Sequence, residues 1–98
     1  MASGAKRVFR GSFSGTGALK DITTIGFRPT WVKLWLQNGN DGVWTETMAD
    51  ASAFKRVAAG TGSFVTTNGV TPLSTGFRLG TDASLNVNGV VTHFEAGD

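Results

Sequence analysis

The stretch GFRPTWVKLWLQNGNDGVWTETM, Gly26 to Met48, contains all three tryptophans of a 98-residue chain. In its first half, Trp31 to Gln37, alternation puts Val32, Leu34 and Leu36 on one face and Trp31, Lys33, Trp35 and Gln37 on the other. The aliphatic set is suited to a β-protein interior, so a strand with a core face and a second, mixed face is expected. NGNDG, Asn38 to Gly42, follows directly. Glycine reaches the positive φ angles of tight turns without a clash, and Asn and Asp tolerate them best among the other residues. With VWTETM beyond it, Val43 to Met48, the segment predicts an antiparallel hairpin.

The rest of the chain is built in the same way. Its 14 glycines and frequent Ser and Thr interrupt any helical period, while short apolar or alternating runs recur. Strands are predicted at Arg7–Ser14, Asp21–Thr24, Trp31–Gln37, Val43–Met48, Ser63–Thr67, Gly76–Leu79 and Val90–Ala96. ADASAFKRVAA, Ala49 to Ala59, has irregular apolar spacing and is expected to form a loop or a turn or two of helix. The fold class is therefore all-β, an antiparallel β-sandwich or jelly-roll-like barrel of about seven or eight strands. No composition shift marks a linker, so residues 1–98 are expected as one domain, with 1–6 an arm that orders on a neighbour.

Charged residues make up 16% of the chain, against about 25% in a typical soluble domain, and hydrophobic residues 40%. A surface this poor in charge favours life against a partner. The net charge is +2 with the basic residues dispersed, so no stripe for nucleic acid is expected. No segment has the apolar length of a membrane span or the h-region of a signal peptide, which points to synthesis in the cytoplasm. The chain has no cysteine, which excludes disulfides, thiolate metal sites and thiol nucleophiles.

Motifs for chemistry are weak. Ser84-Leu-Asn86-Val-Asn88-Gly89 followed by Glu95 has the spacing of a calcium loop, but Ser84 replaces the first carboxylate and no flanking helices are expected. An Asn-Gly turn accounts for it. His93 is the sole histidine, and no other ligands are grouped near it. The carboxylates sit mostly in turn segments, and the GTG stretches lack the Lys-Ser/Thr of a phosphate loop. A non-enzymatic protein without cofactor or metal is expected.

The mixed face is what remains to be explained. Trp31 and Trp35 flank Lys33, and Trp44, Glu46 and Met48 form a similar set on the next strand. Tryptophan offers a large rigid area with one N–H donor and is enriched where proteins meet partners. Trp31, Lys33, Trp35, Trp44, Glu46 and Met48 are thus the candidate interface, with Lys33 and Glu46 pairing if the two sets share a side. The rival use is sugar stacking on Trp31, Trp35 and Trp44, helped by Asn38 and Asn40.

GTGALKDITTIGFRPTWVKLW, followed later by TGFRLGTDASLNVNGVVTHFEAG, resembles small β-domains of tailed-bacteriophage virion proteins. Gly26, Phe27, Pro29 and Val32 match the first half of that pattern. Gly76, Phe77, Leu79, Gly80, Asp82, Asn86 and Gly89 match the second. The resemblance implies a structural virion protein without catalysis: a capsid decoration (cement) protein, or a tail or fibre component. Attachment to a repeating lattice suits a homo-oligomer of closed cyclic symmetry, for example a trimer, bound to the major capsid protein or another virion protein. Host surface glycan is the remaining partner class.

Overall fold

The computed structural model describes residues 7–98, so the expected arm at 1–6 lies outside the described residues. Eight strands form: β1 (Val8–Ser14), β2 (Lys20–Ile22), β3 (Trp31–Leu36), β4 (Asp41–Thr45), β5 (Ser52–Arg56), β6 (Gly62–Leu73), β7 (Gly76–Leu79) and β8 (Val91–Gly97). All belong to one antiparallel sheet in the order β1-β8-β3-β4-β5-β6-β7-β2. The all-β antiparallel expectation holds. Where the sequence left a two-sheet sandwich or a jelly-roll-like barrel open, the molecule has one continuous sheet curled into a half-barrel.

The curl is set by aromatic contacts. Phe94 on β8 and Phe77 on β7 stand near opposite ends of the sheet, yet their rings meet edge-on at 5.3 Å between centroids. Phe9 and Phe13 of β1 lie against the same Phe94 ring, at 6.1 and 6.0 Å. Val32, Leu34, Leu36, Val70, Leu79 and Ala96 complete the buried inner face. Two long connections close the ends. Residues 23–30 carry Ile25 and Phe27 across one end, and residues 80–90 carry Leu85 and Asn86 across the other.

The second lid is held by polar groups. Asn86, 2% exposed, accepts at Oδ1 from the N–H groups of Thr16 and Gly17 and donates from Nδ2 to the carbonyls of Ala18 and Gly80. Gly15 lies beneath the lid, where an added Cβ would come within 2.2 Å of the Val87 carbonyl oxygen. The obstacle is backbone and cannot swing aside, so Gly15→Ala is expected to cost about 1–3 kcal/mol by overpacking. Thermal unfolding checks this; an unchanged melting temperature would mean the lid does not pack there.

One predicted loop is a strand. Ala49–Ala59 contains β5, which pairs with β4 and β6. The β5–β6 ladder breaks register between Ser52 and Ala53, next to Ala51 and Asn68, both at positive φ (67° and 62°). The far half of β6, from Gly62 to Asn68, is exposed on nearly every residue, so this hairpin stands proud of the half-barrel.

Candidate functional site

The hairpin forms as expected, but its register divides the tryptophans. The turn bonds Leu36 N–H to Asn40 O and Gly39 N–H to Leu36 O, leaving a three-residue loop at 37–39. Even-numbered residues therefore face even-numbered residues across the pair: Val32 opposite Trp44, Leu34 opposite Gly42. Residues directly opposite share a face of the sheet, so Trp44 joins the aliphatic set. It is 2% exposed, with its indole N–H donating to Ala49 O at 3.2 Å.

This corrects the expected interface. Trp44 is a core residue, and Met48 is partly buried against the core. Glu46 is exposed beyond the end of β4, where its N–H donates to Thr30 O. Lys33 does not face Glu46. Its cross-strand neighbours are Val43 on β4 and Glu95 on β8, and Glu95 is taken by Arg10.

Trp31, Lys33 and Trp35 do lie on the outer face, unequally covered. The Trp31 ring rests on Gly97, where an added Cβ would come within 2.5 Å of it, and Lys33 Nζ stands 5.9 Å from its centroid. Trp35 is 45% exposed. Two residues that the sequence reading missed extend its surface. Phe54 on β5 and Phe64 on β6 are paired in register and remain 38% and 59% exposed, with centroids 6.2 Å apart. The outward Phe54 could be found only by recognising β5 as a strand.

Between Trp35 and Phe54 the short side chains of β4 leave a hollow of about 300 Å3. Lys33, Val43, Asp41 and Arg56 share its lining. Arg56 closes one end by pairing with Asp41 at 2.9 Å, and that carboxylate raises the guanidinium's pKa through its hydrogen bond. Lys33 has no carboxylate partner among the described residues. Asn38 and Asn40, expected as sugar ligands, are spent on local structure. Asn38 Oδ1 accepts from Asn40 N–H; Asn40 donates to Ser84 O and accepts from Ala58 N–H.

The calcium-like spacing has a structural explanation. The Asn86 amide is committed to four backbone groups, and Lys55 Nζ lies 3.3 Å from Ser84 Oγ while pairing with Asp82 at 2.9 Å. Ser84 thus faces a lysine ammonium, and Glu95, the last residue of the spacing, is paired with Arg10. His93 is on the outer face opposite Trp35, its Nε2 3.0 Å from Gln37 Nε2. No group of three or more His, Cys, Asp or Glu suited to a metal occurs among the described residues.

The virion-type pattern maps onto the frame of the fold and away from this face. Phe27, Pro29 and Val32 are buried, as are Gly76, Phe77, Leu79, Gly80, Asp82 and Asn86; Gly26 and Gly89 take positive φ. Comparison with known protein families, with curated proteins and with solved structures finds no match.

Proposed function

We propose that this chain is a non-catalytic bacteriophage virion protein, a capsid decoration (cement) subunit, and that its curled sheet is a jelly-roll-like barrel with an open seam. It would act as a homo-oligomer of closed cyclic symmetry, for example a trimer, on the major capsid protein. The observation that carries the reading is the outer-face aromatic set, Trp35 on β3 with Phe54 and Phe64 on the projecting β5–β6 hairpin. Together these rings leave roughly 300 Å2 of apolar surface in water, and burying it contributes about 7 kcal/mol gross. Association costs about 4–15 kcal/mol in lost freedom. One such contact is therefore weak alone and becomes effective when repeated, as in an oligomer on a regular shell.

Mass spectrometry of gradient-purified virions from a phage that encodes the chain is the test. The chain is expected at a copy number comparable to the capsid protein's, and its absence from the particles would sink the reading. For the purified chain, light scattering should give a multiple of 10.3 kDa. Trp35→Ser/Phe64→Ser should then give a folded monomer.

A second reading rests on the hollow itself. Two aromatic walls with Asp41, Arg56 and Lys33 at its rim can stack a pyranose and bind its hydroxyls. Glycan-array binding that is lost in Trp35→Ala while oligomer mass is unchanged would favour this appendage role.

A further inference from the structure

The two edges of the curled sheet do not join. Among the described residues β1 pairs only with β8 and β2 only with β7, although β1 and β2 are consecutive strands separated by residues 15–19 alone. Asn86 ties that connection to the lid. Beyond it lies a hollow of about 400 Å3, bordered by Phe9 to Phe13 of β1, Lys20 to Thr24 at β2, and Phe94.

Among the described residues, backbone groups that take no part in the β1–β8 ladder line this seam. At the two ends of β1, Asp98 N–H donates to Arg7 O and Gly15 N–H donates to Val90 O. Bonded pairs alternate along an antiparallel ladder, so the odd-numbered residues of β1 serve β8. The N–H and C=O groups of Val8, Arg10, Ser12 and Ser14 consequently point into the seam. A free edge this long templates another strand unless proline, a bulge or charge blunts it. β1 has no proline and its pairing with β8 runs without a bulge, while the charge of Arg10 is engaged by Glu95.

The lining also specifies what fits. Phe9, Phe13 and Phe94 offer an apolar floor on the inner side. Asp21 is bound by Arg78 at 2.7 Å, which holds its carboxyl below the usual range through that hydrogen bond. Lys20 has no ion pair among the described residues, and its Nζ stands 6.0 Å from the Phe13 centroid. With a strand edge on each side, the seam suits an extended segment that pairs through its backbone. Residues 1–6 of this chain, MASGAK, bring a lysine and no carboxylate, so they are not its complement.

We infer that the β1–β2 seam is a docking site for an extended tail of a partner protein, with apolar residues at alternate positions and one acidic residue for Lys20, bound by strand addition. The site is separate from the aromatic outer face and does not depend on the virion reading.

The test uses the whole chain, NMR amide exchange, and two blocked peptides of alternating valine and threonine, one with a central glutamate and one with a central lysine. The glutamate peptide is expected to slow exchange at Val8, Arg10, Ser12 and Ser14 at least tenfold, with the lysine peptide ineffective. Lys20→Glu, a change at a half-exposed side chain, should reverse that preference. Absence of protection with either peptide at millimolar concentration would overturn the proposal. So would peptide-induced shifts confined to the Trp35 face, or protection of the four amides without peptide, which would mean that the seam closes on β2 or on a second copy.

Discussion

Asp82→Ala is expected to destabilise the protein by about 3–5 kcal/mol, the range for removing one partner of a buried ion pair. Asp82 is 8% exposed and its carboxylate takes Lys55 Nζ at 2.9 and 3.0 Å. It also accepts from the N–H groups of Ser84 and Leu85, at 2.8 and 3.2 Å, so it shapes the turn that drops Leu85 into the core. Alanine would leave a mostly buried ammonium unpaired and two N–H groups without their acceptor. A domain of this size holds only about 5–15 kcal/mol in all, so much of its stability rests on one carboxylate. Lys55→Met in the Asp82→Ala background removes the stranded charge and should restore part of the loss. The remainder then measures the turn. Urea unfolding of the single and double variants checks this, and equal losses in the two would show that the charge is not the cause.

The same pair explains why β5 could not be read from SAFKR. In a half-buried strand apolar residues point in and polar ones out. Here Ser52, Ala53 and Lys55 turn inward, Lys55 to reach Asp82, while Phe54 and Arg56 face water. The partner that makes an inward lysine tolerable lies 27 residues away, beyond any local pattern. β6 was half legible for a related reason. TNGVTP contains turn formers, yet Gly69 and Pro72 lie within the strand. Gly69 is used for close approach, since an added Cβ would fall 2.4 Å from the Ser52 carbonyl oxygen, and Pro72 sits beside Phe77.

Where local pattern suffices, the reading held. β7 matches residue for residue, and the β3–β4 hairpin forms around its turn with Val32, Leu34 and Leu36 inward. The candidate site was legible only on β3. Assigning Trp44 required the parity of the turn, because a loop of three residues and one of four put it on opposite faces. Of the rings that extend Trp35, Phe54 was hidden with β5, and Phe64, in a predicted strand, had no visible neighbour without it.

Trp44→Ala and Trp35→Ala should therefore behave as opposites, although both remove an indole from the same hairpin. Trp44 packs beside Val32 in the core, so truncation removes the largest fully buried side chain and leaves a cavity, for a loss of about 3–5 kcal/mol. Its hydrogen bond to the Ala49 carbonyl is also lost, which leaves that carbonyl with the Ser52 N–H alone. Trp35 is nearly half in water, so its loss should cost the isolated chain about 1 kcal/mol or less. Under the assembly reading, the same substitution shifts oligomer mass or attachment while leaving the fold intact. Fluorescence separates the rings without unfolding anything. With Trp31 and Trp44 each replaced in turn by Phe, iodide should quench the emission due to Trp35 strongly and that due to Trp44 hardly at all. Equal quenching would place both rings in solvent and refute the register. Equal protection in a monomer would mean that Trp35 is covered by its own chain, which would remove the outer face from any role in assembly.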